Sequence, residues 1–340
     1  MSTTTTPAQL LAVYKSKVNT LINVCNNLIR QVSAIRLTYA NKQRYITLYK
    51  NQFNAQCKVL NAKYQSDLVK LLNPVSPSIA LTKSRKALLI GINYIGTSSQ
   101  LSGCINDTNA IKNLLLTQSN FAANDITVIT DETVQKPTRA TILETFTTLL
   151  QSGKDGDLLF FSYSGHGSYV LDRNNDETNG NDEMIVAADM KGIIDDELKA
   201  LIQIHLKKNV TLFALFDSCF SGTVLDLKYQ YLDSLENDNF TENAKEETTI
   251  GNVIMISGCT DNQTSADAFI NNRYQGAMTW AFLNGLKGHT SATASANTLN
   301  NITWRDLLLK MRDDLKTSNF TQLPQLSSGC FMNINTPICF

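Results

Sequence analysis

Two short segments hold side chains suited to covalent chemistry: Tyr163-Ser-Gly-His-Gly167 and Phe216-Asp-Ser-Cys-Phe-Ser-Gly222. A cysteine thiolate is a strong nucleophile, and an imidazole can take up its proton and pass it to a leaving group. Cys219 with His166 would therefore suit acyl transfer through a covalent acyl intermediate. Small residues flank both, so the backbone can turn sharply there and a substrate can come close. The other two histidines fit less well, His205 lying late in an amphipathic helical pattern and His289 in a loop after Gly288. Of the seven cysteines, Cys25 and Cys57 fall on an apolar helical stripe, Cys104 opens a helix, and Cys330 and Cys339 belong to the C-terminal region. Cys259 also follows an apolar run, so periodicity alone leaves two candidate nucleophiles; pairing with a Gly-His-Gly turn on another strand favours Cys219.

Both segments follow short, nearly continuous apolar runs at 157–163 and 210–216, as expected of strands buried on both faces. Similar runs at 86–94, 125–130 and 252–257 alternate with helical patterns at 106–118, 138–151, 195–206, 278–286 and 304–315. Strands alternating with helices predict an α/β fold, a largely parallel sheet flanked by helices on both faces. In such sheets chemistry collects beyond the carboxyl ends of the strands, which is where His166 and Cys219 fall.

The first 80 residues differ in kind. They carry ten Lys/Arg and one acid, Asp67, a net of +9, whereas residues 81–340 carry twenty bases and twenty-nine acids, a net of −9. They contain no glycine, and no proline between Pro7 and Pro74. Apolar residues at Tyr14, Val18, Leu21, Cys25, Leu28, Val32 and Ile35 alternate steps of four and three, a heptad stripe on one helical face. A second stripe runs through Tyr49, Phe53, Cys57, Leu60, Tyr64, Leu68 and Leu71. A hairpin turning near 39–43 and a single long, coiled-coil-like helix are both open, followed by a linker around Pro74, Ser76, Pro77 and Ser78. The segment either packs on itself or docks by charge, on the acidic remainder of the chain or on an anionic partner.

Composition narrows the classes further. At 340 residues, 43% apolar and 18% charged, the chain has the make-up of an ordinary globular protein with room for one sizeable α/β domain and an accessory segment. No window approaches the roughly 18 consecutive apolar residues of a membrane span, and the N-terminus lacks the basic-then-apolar layout of a secretory signal. An odd number of irregularly spaced cysteines argues against a disulfide framework, and the absence of a CxxC pair argues against structural zinc. A reduced, cytoplasmic setting is the expectation.

The segments Ser164-Gly-His-Gly167 and Asp217-Ser-Cys-Phe-Ser-Gly222 resemble the two catalytic motifs of the caspase-like fold in the form used by metacaspases. Gly103-Cys-Ile-Asn-Asp-Thr108 is similar to the family's loop after the first strand, 257–267 to its small-subunit signature and 323–328 to its C-terminal motif. The resemblance spans roughly 84–334 and implies a peptidase domain over 81–340: a large-subunit part to about 226, a linker over about 227–249 and a small-subunit part from about 250. It leaves residues 1–80 uncovered; many short-type metacaspases carry a Pro/Gln-rich prodomain there, from which this basic helical segment departs.

The same resemblance implies a cysteine endopeptidase with Cys219 as nucleophile and His166 as acid/base, and a substrate pocket lined by Cys104, Asp107, Ser164 and Asp217. Two carboxylates would select Arg or Lys before the scissile bond; their alternative role is capping or loop support. The loop 172–183 superficially resembles an EF-hand but has Glu177 where the turn needs glycine. The resemblance places an activating Ca²⁺ on Asp182, Asp195, Asp196 and Asp226 instead. Self-cleavage is expected after Lys228 or Lys245, flanking the polar linker, or after Lys83 or Arg85, before the first strand. A monomer is expected, with a catalytically silent scaffold acting through the basic helices as the competing reading.

Overall fold

A computed structural model describes residues 7–34, 38–72, 83–171, 181–219, 224–231, 240–243, 246–258, 267–270, 273–287 and 302–338. The chain divides into two compact units, Met1–Leu81 and Thr82–Phe340.

In the first unit, α1 (Pro7–Ala34) and α2 (Tyr39–Leu72) form an antiparallel pair. Tyr14 stacks on Tyr64 with ring centroids 4.7 Å apart, the Cys25 thiol lies 3.9 Å from the Tyr49 carbonyl, and Lys42 Nζ donates to the Ser33 carbonyl. The stripe residues from Tyr14 to Val32 and from Tyr49 to Tyr64 are half-buried or buried, while Lys15, Lys17, Lys50, Lys58 and Lys63 are exposed. The hairpin is therefore the form adopted. Its break falls between Ala34 and Tyr39 and not at 39–43, whose Tyr39, Asn41, Lys42 and Gln43 belong to α2. Nothing in that stretch stops a helix, since it contains neither glycine nor proline.

The second unit is built on an eight-stranded sheet in the order β2-β1-β3-β7-β10-β13-β8-β9. β1 (Arg85–Gly91), β2 (Ile126–Thr130), β3 (Leu158–Ser164), β7 (Thr211–Asp217) and β10 (Asn252–Ser257) are parallel; β13 (Gln325–Ser328), β8 (Tyr229–Tyr231) and β9 (Phe240–Glu242) extend it antiparallel. A second sheet joins β4 (Gly167–Leu171), β5 (Asn181–Val186) and β6 (Gly192–Ile194), and β11 (Asp267–Ile270) pairs with β12 (Arg273–Gly276).

Period-two alternation assigns the two faces. Ala87 and Leu89, Phe160, Phe213 and Leu215 point to one side, under α3 (Cys104–Gln118), α6 (Ala277–Leu286) and α7 (Trp304–Thr317). Leu88 and Ile90, Phe161, Leu212 and Ala214 point to the other, under α4 (Arg139–Ser152) and α5 (Asp195–His205). Because both faces are covered, the central strands carry no polar alternation and read as continuous apolar runs. Helix starts are fixed locally: the Thr138 and Thr303 side chains accept from the backbone N–H groups of Thr141 and Asp306.

Candidate active site

The two reactive residues stand just beyond neighbouring parallel strands in matched register. Ser164, the last residue of β3, pairs with Asp217, the last of β7, so His166 and Cys219 each lie two residues past the same rung. Gly165 N–H donates to the Asp217 carbonyl at 3.3 Å, carrying the pairing one step further. A Cβ built on Gly167 would sit 1.9 Å from the Cys219 carbonyl oxygen and 3.3 Å from its nitrogen. Only glycine permits that approach. Both His166 and Cys219 are half-buried, and Cys219 is not in a disulfide.

The imidazole is held from three sides. His166 Nε2 lies 2.7 Å from the Ser99 carbonyl, and a carbonyl can only accept, so Nε2 carries a proton and Nδ1 is the nitrogen left to exchange one. The Tyr94 ring packs on the imidazole with centroids 4.5 Å apart. Tyr94 Oη accepts the His166 backbone N–H at 2.8 Å, and Tyr163 Oη donates to the His166 carbonyl at 2.7 Å. The two phenol oxygens are 3.1 Å apart and both lie within reach of the Val186 carbonyl, at 2.7 and 2.8 Å. Burial pushes both phenols well above the usual tyrosine range, so each stays protonated and can donate at neutral pH. Tyr94 adopts φ = 51°, a left-handed conformation that non-glycine residues rarely take. None of these supports carried a signal in the sequence: a backbone carbonyl leaves no side-chain motif, and Tyr94 and Tyr163 read there as apolar strand residues.

The expected pocket residues converge. Cys104 opens α3, whose first N–H groups, at Cys104 and Ile105, are capped by Asn93 Oδ1 at 3.0 and 3.3 Å. One turn on, the buried Asp107 carboxylate accepts from Ser164 Oγ at 2.8 Å and from Gly276 N–H at 3.0 Å. The buried Asp217 carboxylate accepts from Thr279 N–H at 2.8 Å. A Cβ at Gly276 would meet Asp217 Oδ2 at 2.0 Å and Asp107 Oδ2 at 2.8 Å, so both carboxylates crowd the start of α6. The positive end of that helix offsets part of their mutual repulsion.

Of the four aspartates expected to hold calcium, Asp195 and Asp196 open α5, Asp182 lies in β5, and Asp226 meets Lys199 of α5. Asp182 and Asp195 are buried, Asp182 in β5 and Asp195 at the start of α5, which follows β6, the strand paired with β5. Asp195 accepts the backbone N–H groups of Glu183 and Asp196 at 2.6 and 2.8 Å. Asp226 pairs with Lys199 Nζ at 3.7 Å, and the same ammonium binds Glu246 at 2.6 Å. Carboxylate oxygens suit a hard cation, yet among the described residues no three acidic, His or Cys side chains come together closely enough to hold one. The donor chemistry fits a hard cation.

The four expected cleavage positions differ in access. Lys83 is exposed, whereas Arg85 opens β1 and donates to the Ser119 carbonyl at 2.5 Å. Lys228 is held by Glu242 at 3.5 Å and the Glu246 carbonyl at 3.0 Å. Lys245 lies outside the described residues, as do Cys259, the 172–180 stretch and most of the 257–267 motif.

A thiol and an oriented imidazole at adjacent strand ends of a doubly covered sheet define a Cys–His hydrolase. Comparison with known proteins makes the class specific. Residues 85–228 match the family "Metacaspase, peptidase C14 domain". Metacaspase-1 of Kluyveromyces lactis is 37% identical over 310 residues, covering 76% of this chain and 69% of that protein, and Metacaspase-1 of Ajellomyces capsulatus is 34% identical over 308 residues, covering 76% and 83%. The chain belongs to the metacaspase family and is a cysteine peptidase with the family's caspase-like sheet. A Geobacter sulfurreducens protein of known crystal structure shares the fold, with a TM-score of 0.53 at 24% identity over 74% of this chain and 95% of its own. No helix among the described residues is long and apolar enough to cross a membrane.

Proposed function

We propose that this peptidase cleaves after Arg or Lys, that calcium stimulates it, and that it processes itself. Support for the specificity comes from the two buried carboxylates, Asp107 and Asp217, meeting at Gly276 beside the strand ends that carry His166 and Cys219. A guanidinium offers those oxygens a bidentate partner and an ammonium a compact one. Cys219 attacks the peptide carbonyl and the imidazole, through Nδ1, carries the thiol proton to the leaving amine; water then hydrolyses the acyl-enzyme. The N–H groups of Gly167 and Cys219, brought together by the glycine contact, are the proposed donors to the oxyanion. Paired fluorogenic peptides ending in Arg or Asp, read with calcium and with chelator against Cys219→Ala, test this. Cleavage after Asp, or turnover in the alanine variant, defeats it.

Calcium is proposed to engage Asp182, Asp195 and Asp196, with Asp226 joining when it exchanges the Lys199 ammonium. The support is the donor chemistry of these carboxylates. Calorimetric titration of chelated protein, compared with Asp195→Asn, reads binding without reference to activity; equal heats in both refute the assignment. Self-processing is proposed first after the exposed Lys83 and after Lys245, in a cytoplasmic, reducing setting that keeps the thiol active. Intact mass after calcium treatment identifies the cut.

The first unit, with its net of +9 against −9 for the rest, is proposed to dock by charge on the peptidase unit of a monomer. Solution scattering of the full chain should then show expansion as salt rises through about 0.5 M; an unchanged radius removes the idea.

A further inference from the structure

Beyond the catalytic centre, α3, β12 and α6 flank a cleft of about 440 Å³ whose lining, among the described residues, contains Arg273 and Lys287 and no Asp or Glu. In a region that carries nine more acids than bases this is unusual. Asn106, Asn109, Asn113 and Gln275 add amide groups, and the half-buried Trp280 supplies a flat wall. Arg273 Nε donates to Gln275 Oε1 at 3.1 Å, which fixes the guanidinium while its two Nη groups make no bond to a described residue. Neither Arg273 nor Lys287 pairs with a carboxylate among the described residues. The Arg273 guanidinium and the Lys287 ammonium, both exposed, together with the Asn109 and Asn113 amides are complementary to a carboxylate.

The cleft shares its walls with the acidic pair. Asn106 faces it while its neighbour Asp107 accepts from Gly276; Gln275 lines it while the next residue, Gly276, carries the contact with both carboxylates. Asn106 Nδ2 donates to the Tyr274 carbonyl at 2.8 Å and ties α3 to β12 along this partition. Arg273 lies three strand positions from Gly276, roughly 10 Å at 3.3 Å per residue. An extended peptide covers the same span in three residues.

We propose that this cleft is a substrate exosite for an acidic side chain, Glu or Asp, about three residues from the basic residue held by Asp107 and Asp217. The proposal rests on the basic specificity proposed above. The enzyme would then read a pair of opposite charges on its substrate, a base in the carboxylate pocket and an acid in the Arg273–Lys287 cleft.

The test uses the full-length enzyme and three kinds of peptide: a short reference ending at Arg, and longer peptides with Glu or with Gln three residues to either side of that Arg. Relative to the short reference, wild type should favour one Glu peptide over its Gln counterpart in kcat/KM by about 3–10-fold, the range of a partly exposed charge-assisted contact. The ratio should fall to near one in R273Q/K287Q and shrink with added salt. Equal rates for Glu and Gln in wild type, or a ratio that survives in the double variant, overturns the exosite. If the short Arg peptide itself is not cleaved, the basic pocket has failed, and anisotropy of the labelled long peptides on Cys219→Ala then reads the cleft alone: tighter binding of Glu that R273Q/K287Q abolishes sustains it, and equal binding ends it.

Discussion

The carbonyl oxygen of Cys219 occupies the space that a side chain at Gly167 would need, 1.9 Å from where its Cβ would stand. Main chain packs on main chain between the turn after the histidine and the turn that carries the nucleophile, so the glycine sets the spacing of the two reactive groups. Gly167→Ala must push these turns apart. It should cost about 1–3 kcal/mol in denaturant unfolding and lower kcat about 100-fold, as expected when reacting groups are displaced by about an ångström. Wild-type turnover in a folded alanine variant would remove glycine from this role.

Tyr94 is a positioning residue. Its ring supports the imidazole and its hydroxyl accepts the His166 N–H. Tyr94→Phe keeps the ring contact and loses the hydroxyl with its contacts to the His166 N–H, Tyr163 Oη and the Val186 carbonyl, so kcat should fall by at least about 3–10-fold, the worth of one net hydrogen bond, with KM little changed. Tyr94→Leu should fall further. A KM effect in Tyr94→Phe without a kcat effect would contradict positioning.

Buried phenols make the fold sensitive to base. Burial raises Tyr94 and Tyr163, and pushes Tyr231 up to about 12. Below the unfolded value of about 10 these groups are protonated in both states and cost nothing. As pH rises through 10 and towards the folded values the unfolded chain releases protons first, so stability is lost across that window. Absorbance of tyrosinate followed together with circular dichroism should show a late ionising fraction that appears only with unfolding.

Lys199 is the shared counter-ion of Asp226 and Glu246, whose side chains are only 4% exposed. Lys199→Met leaves two buried carboxylates together and should destabilise the protein by about 3–5 kcal/mol. Adding Asp226→Asn and Glu246→Gln should restore part of that loss; thermal unfolding of the series separates charge from packing.

Removing one charge from the acidic pair should weaken the basic-residue preference. Asp217→Asn is expected to reduce kcat/KM for Arg peptides about 100-fold, as when one partner of a buried charge pair is lost. The Thr279 N–H keeps an acceptor in the asparagine oxygen, so the start of α6 should survive, which circular dichroism can check.

The elements flanking the site were legible in the sequence because the apolar patterns that define them are local. Continuous apolar runs at 157–163 and 210–216 are what strands buried on both faces require, and they correspond to β3 and β7 within a residue. The heptad stripes were equally plain, but the helix ends were not: no glycine or proline marks the end of α1 at Ala34 or the start of α2 at Tyr39. The sheet of β4, β5 and β6 was missed because its strands are short, partly exposed and interrupted, so no run of apolar residues announces them.

Residue types and their order in the chain determined on their own that Cys219 and His166 follow strands of one parallel sheet, since burial and periodicity are written position by position. The matched rung of Ser164 and Asp217, the Ser99 carbonyl on the imidazole, the paired phenols behind it and the meeting of Asp107 with Asp217 at Gly276 are contacts between segments far apart in the chain. Only the tertiary structure decided these. Register and close approach depend on how both partners pack, and no single stretch of sequence carries that information.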